Sequence, residues 1–368
     1  MTMKLRYSRS FGWCMLAMVL AGTVLMTGCQ MPFDTTLLEE LKQQGDLPAA
    51  IAIPAISAGD AHTVALKTDG SVWAWGDNGD GQLGDGSIIA KLTPVPVSGL
   101  SSGVTAIAAG GLHTLALKSD GSVWAWGYNN YGQLGDGSTL DKHTPVQVKG
   151  VSGNGWLSDV TAVTGGVRYA VALKSDGSVW AWGYNYSGQL GDGTTTHSTT
   201  PVQVKGADGI GWLSDITAIA AGEGYTVALK TDGSVWAWGY NYYGQLGDGT
   251  TDNKNTPVPV SGLSSGVTAI AAGGRHTIAL KSDGSVWAWG YNSFGELGDG
   301  STIEKHTPVP VSNLSSGVAA IAAGQWHTVA LKSNNSVWGW GANGSGQLGD
   351  GTRTSSNIPV LTIALFRL

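Results

Sequence analysis

Charge is scarce in this chain: Asp, Glu, Lys and Arg make up 12% of its 368 residues, against roughly 25% in ordinary soluble domains. The formal net charge is −6. There is no basic surplus to meet a phosphate backbone, which argues against a nucleic-acid partner. Cysteine is almost missing, with Cys14 and Cys29 the two in the chain. A lysine-bearing phosphate loop is absent too, so the usual nucleotide motif falls away. Beyond one run near the start, no stretch approaches the 18 or so apolar residues of a membrane span. What the chain has in plenty is glycine, 57 residues, and tryptophan, 16 residues, within a composition that is 42% hydrophobic. That much apolar surface offsets the entropy of ordering, and the chain folds.

The early apolar run, Phe11 to Met26, follows Lys4, Arg6 and Arg9 and ends in Leu25-Met26-Thr27-Gly28-Cys29. Basic start, apolar centre and small-residue end make a secretory signal. Its end resembles a bacterial lipoprotein box, with Met26 where that box usually has leucine. The expectation is a signal peptide over 1–28, a lipid on Cys29, a tether over 29–50 and a folded domain over 51–368. Removing the signal takes away three positive charges and moves the net charge from −6 to −9. The acyl chains of a lipoprotein would hold the domain on a membrane of the bacterial cell envelope.

Six copies of one segment fill that domain. Each carries Trp-x-Trp-Gly and then Gly-x-Leu-Gly-Asp-Gly. The second tryptophans fall at Trp75, Trp126, Trp182, Trp238, Trp289 and Trp340, in steps of 51, 56, 56, 51 and 51 residues. (The fifth copy reads Gly-Glu-Leu-Gly, with Glu296 in the variable place.) A fixed period marks an array of one supersecondary unit, with function in what differs between copies. In the first copy, Ile56 to Gly59 leads into the run His62 to Lys67, then Thr68-Asp69-Gly70-Ser71, then Val72-Trp73-Ala74-Trp75-Gly76. Asp-Gly between alternating runs predicts a hairpin with positive φ at both central residues. The sixth copy's Asn334-Asn335 tolerates the same conformation. Trp73 and Trp75 share one face and Ala74 takes the other, so both tryptophans are expected in a core where a bulky layer nests on a thin one. Thr93 to Val97 carries prolines and suits an edge strand. Val104 to Ala108 supplies a fourth strand.

Four strands per repeat, arrayed radially, describe an all-β propeller. Hairpins, Pro-Val strands and Ile/Val-x-x-Gly strands each number six, which predicts six blades, with seven as the alternative. The strand near Ile56 is expected to complete the blade of Trp338 and Trp340 and so close the ring. Trp-Ala-Trp-Gly-x-Asn-x-x-Gly-Gln-Leu-Gly-Asp-Gly, as in Trp124 to Gly137, resembles the repeat of the regulator-of-chromosome-condensation family over about residues 51–368. The resemblance implies a propeller whose best-known members have seven blades. Relatives include a nucleotide-exchange factor for a small GTPase and secreted β-lactamase inhibitors, but no binding residue of theirs maps onto this chain.

The residues that resemble chemistry read better as structure. His62, His113, His276 and His327 share one repeat position that is Tyr169 and Tyr225 in the other copies, which suits a hydrogen-bonding core group and not a metal ligand. Asp85, Asp136, Asp192, Asp248, Asp299 and Asp350 each stand alone between glycines, without the oxygen set of a calcium loop. No catalytic residue, metal or cofactor is assigned. The copies disagree most in the four residues after Trp-x-Trp-Gly, which hold eight of the 11 tyrosines around a constant asparagine. Tyrosine among Asn, Ser and Gly is the composition of evolved binding surfaces. Tyr131, Tyr186, Tyr242, Tyr243 and Phe294 are the candidate partner-binding residues. Trp156 and Trp212, in five-residue insertions of the second and third copies, are expected to join them at the centre of one lopsided face. The expected function is a monomeric, membrane-tethered, non-catalytic module for a protein or glycan partner. The alternative is an exported polysaccharide lyase or hydrolase with its site in the central channel.

Overall fold

The computed structural model describes residues 55–362, so the signal segment, Cys29 and the tether lie outside the described residues. Six separate four-stranded antiparallel sheets follow one another along the chain. In the first, β1 (Ala55–Ala58), β2 (His62–Leu66), β3 (Val72–Gly76) and β4 (Lys91–Pro96) are neighbours in sequence order. First strands of successive sheets touch each other, which places them innermost, around the axis. The proline-bearing strands lie outermost, where a missing N–H costs no ladder bond. This is a six-bladed propeller.

The blade boundary falls one strand earlier than the strand tally suggested. β1 pairs with β2, Ala55 opposite Leu66 and Ala58 opposite Thr63, and not with the blade of Trp338 and Trp340. A three-residue turn after Ala58 leaves that strand no reach to another blade, and Val318–Ala323 already fills the place in the sixth. The hairpin turn also differs from expectation. Gly70 N donates to Lys67 O and Lys67 N to Ser71 O, and only Gly70 has a positive φ, +77°. This is a three-residue loop ending in a left-handed bulge, so the demand falls on one residue of the pair. Asn335 meets it in the sixth blade with φ 65°.

Each tryptophan pair divides its work. The second one is fully buried in blades two to six, and its indole N–H donates to a backbone carbonyl of the preceding blade. Trp126 bonds Gln82, Trp182 bonds Gln133, Trp238 bonds Gln189, Trp289 bonds Gln245 and Trp340 bonds Glu296. The glycine two residues after each carbonyl lets the ring approach: a Cβ on Gly84 would stand 2.7 Å from Trp126 Nε1. The first tryptophan, such as Trp236, is only half-buried, with Lys230 over its ring.

Five hydrophobic clusters result, each joining two successive blades. Among the described residues no such cluster joins the sixth blade to the first. Trp75 there is half-buried, and Val329, Leu331 and Val337 are partly exposed although their counterparts in the other blades are buried.

Candidate functional site: a tyrosine-lined face

Strand pairing sorts the loops onto two ends of the propeller. His62 pairs with Gly76, so the turn between the first two strands and the loop after Trp-x-Trp-Gly leave from the same end. Leu66 pairs with Val72, so the Asp-Gly turns mark the other end. The tyrosine tetrads all belong to the first end.

Their scaffold is a loop laced by buried side chains. Asn78 Oδ1 accepts from Leu83 N, while its amide donates to Asp85, Ser87 and the Ile89 carbonyl. Asp85 also accepts from Ser87 N and Oγ and lies 3.2 Å from Lys91 Nζ. These bonds hold its carboxyl below the ordinary range despite the opposing effect of desolvation, the largest single cause. The aspartates therefore act as loop formers, and Asn129, Asn185, Asn241, Asn292 and Asn343 repeat the same lacing.

On this scaffold the candidate tyrosines stand in the open. Tyr186 is 74% and Tyr242 64% exposed, Phe294 is exposed, and Tyr131 and Tyr243 are partly so. Two aromatic arcs form. In one, the Tyr131 ring lies 4.9 Å from Tyr184 and 5.2 Å from His197, with the Arg168 guanidinium 5.5 Å above it. In the other, Tyr243 lies 5.0 Å from Tyr242 and 4.9 Å from Tyr291, which in turn lies 5.4 Å from Trp326. Arg275 sits 5.3 Å from both the Tyr243 and Trp326 rings. Its Nε donates to Glu223 at 2.7 Å and its Nη1 to the Tyr243 hydroxyl at 3.2 Å.

Arg168, Glu223, Arg275 and Trp326 were missed in the sequence, although the signal was there. They occupy the two variable positions just before the His/Tyr of each repeat. The variation is paired across blades: Tyr131 with Arg168, Tyr243 with Arg275 and Phe294 with Trp326. The equivalent places between the two arcs hold Ser187 and Gly224, both small. Trp156 and Trp212 do not join this face. Trp156 lines a shallow depression with Lys174 and Trp180 at the Asp-Gly end. The insertions follow the outer strands, whose last residues, Gln147 and Gln203, pair at that end.

Below the face lies a ring of buried side chains. His62 Nε2 is 3.0 Å from Thr114 Oγ1 and His276 Nε2 3.0 Å from Thr328 Oγ1. Burial pushes His62 down to about 4, and His113 and His276 to about 3. Tyr169 and Tyr225 replace histidine and hydrogen-bond to backbone carbonyls of the next blade. Among the described residues His113 finds no partner on either nitrogen, because Ala170 stands where other blades have threonine. At the channel mouth, Asp60 is raised by burial and then by the charge of Glu223. Glu223 itself is held by Arg275.

These features define a class: a repeat propeller presenting a variable, aromatic and guanidinium-bearing face on an invariant frame. Models of the regulator of chromosome condensation (RCC1) repeat match residues 69–117, 120–173, 176–229, 232–280, 283–331 and 334–366, and the chain belongs to that family. It is 33% identical over 317 residues to the ultraviolet-B receptor UVR8 of Arabidopsis thaliana, covering 85% of this chain and 70% of the receptor. It is 32% identical over 312 residues to the human E3 ubiquitin-protein ligase HERC2, covering 84% of this chain but 6% of that protein. Among solved structures, human WBSCR16 matches with a TM-score of 0.73 at 25% identity, covering 85% of this chain and 82% of that one. Saccharomyces cerevisiae Prp20p, studied for its binding to Gsp1p and histones, matches with a TM-score of 0.71 at 26% identity, covering 87% and 79%.

Proposed function

We propose that the protein is a membrane-tethered, non-catalytic binding module that captures a protein partner on its tyrosine-lined face. One observation carries the reading: Tyr186 and Tyr242, 74% and 64% exposed, each stand on one of the two ordered aromatic arcs, Tyr186 6.4 Å from Tyr184 and Tyr242 5.0 Å from Tyr243. Tyr, Trp and Arg dominate the energetics of protein interfaces, and arcs already packed lose little entropy on binding. The relationship to Prp20p, a propeller characterised for protein binding, supports a protein in preference to a glycan. The channel-mouth enzyme alternative would draw on Asp60 and Glu223, but the Glu223 carboxylate is engaged by Arg275.

The test is capture from the protein's own cell envelope by the processed chain, against a Tyr186→Ser, Tyr242→Ser double variant. Capture should fall at least tenfold while the melting temperature stays within a degree or so, since exposed side chains contribute little to stability. Undiminished capture by the variant moves the site elsewhere. Retention of glycan in place of protein changes the partner class.

A further inference from the structure

We infer that the end of the propeller opposite the tyrosines rests on a lipid surface, touching it through the two insertion loops. The inference builds on the lipid-anchor reading of Cys29. The insertions are surplus to the fold. In the uninserted linker, Leu100 is buried and its N–H donates to Val97 O. In the inserted ones, Leu157 and Leu213 fill the same role, donating to Val148 O and Val204 O. The five extra residues add only what lies outside. Trp156 and Trp212 are 53% and 54% exposed, and Ile210 is 80% exposed.

The chemistry at these tips is that of a membrane interface. Lys149 Nζ stands 4.6 Å from the Trp156 ring and Lys205 Nζ 4.2 Å from the Trp212 ring. An indole settles at headgroup depth, and a lysine beside it keeps its ammonium in water while its stem lies on apolar surface. The described chain begins on the same side. β1 begins at Ala55 opposite Leu66, next to the Asp69-Gly70 turn, so the chain leading from Cys29 joins the domain at this end. A tether confines the domain near the membrane and raises the local concentration of lipid, so two small apolar tips suffice to hold it there. The lysines of this end are matched by the turn aspartates and by Asp159, Asp208 and Asp215. Contact therefore depends on Trp and Ile and needs no anionic lipid. The tyrosine-lined face then points away from the membrane.

The mature lipidated protein, reconstituted in phosphatidylcholine vesicles containing brominated lipid, tests this. A fluorophore is placed on Ile210→Cys or, on the opposite face, on Tyr186→Cys. Lipid-borne quenching should be several-fold stronger at position 210 than at 186. Adding Trp156→Ser and Trp212→Ser should abolish the difference while the protein stays in the vesicle fraction. Equal weak quenching at both positions with the protein vesicle-bound overturns the inference and leaves the anchor standing. Unchanged quenching after the tryptophans are removed overturns it as well. A protein missing from the vesicle fraction overturns the anchor reading and the inference with it.

Discussion

At the scale of single residues, the six copies serve as controls for one another. Glu296 occupies a place that is glutamine in every other blade. It is buried, with Oε2 accepting from Phe294 N and Oε1 without a partner among the described residues, and burial pushes its carboxyl from 4.5 up to about 7. A group bound to its proton more tightly when folded lends stability at low pH, lost as pH rises from the unfolded value through 7. Glu296→Gln should therefore raise stability at pH 8 by on the order of 2 kcal/mol and change it little at pH 5, as denaturant melts would register. The buried histidines act in the opposite sense. Their folded values lie below the ordinary 6.5, so the unfolded chain takes up protons first and stability falls as pH drops from about 6.5 toward 4. Ala170→Thr should give His113 Nε2 its missing partner and stabilise the protein by about 1 kcal/mol. A loss of stability on that substitution would mean that the threonine crowds the junction.

At the scale of elements, the repeat sequence divides between burial and lacing. Within the Trp236–Trp238 strand, Trp238 is enclosed and hydrogen-bonded across the junction, whereas Trp236 lies at its rim. Trp238→Ala should cost about 3–5 kcal/mol. Trp236→Ala should cost clearly less, because part of that ring already meets water. Asn241 carries the loop that presents Tyr242 and Tyr243, accepting from Leu246 N and donating to Asp248 and Thr250. Asn241→Ala strands buried groups and should cost about 1–3 kcal/mol. Faster hydrogen exchange confined to residues 242–253 would show that the effect is local.

At the scale of the whole molecule, five junctions share one design and the space between the sixth blade and the first does not. Trp75 is the counterpart of Trp238 in sequence, yet it is half-buried and lies outside the clusters that join blades. Trp75→Ala should consequently destabilise the domain by less than half the cost of Trp238→Ala, read from the same denaturant melts. Equal costs would mean that this tryptophan is enclosed in solution as fully as its counterparts.

The period, the succession of strands along the chain, the edge position of the proline strands and the loop-forming role of the aspartates were all legible in the sequence. Each follows from local chemistry: alternation, turn-forming residues and the repetition of one motif. The tyrosines were legible as the variable part of an invariant loop. Other features required distances between residues far apart in the chain, as between Trp126 and Gln82, 44 positions apart. Which tryptophan of a pair is enclosed depends on the neighbouring blade, and the pairing of β1 depends on where a blade begins. Arg275 meets Tyr243, and Trp156 leaves the tyrosine face, because strand direction assigns every loop to one end or the other. The sequence by itself determined the unit and its number; only the tertiary structure decided what each unit presents to its neighbour and to solvent, since that is set by packing between sheets and not within them.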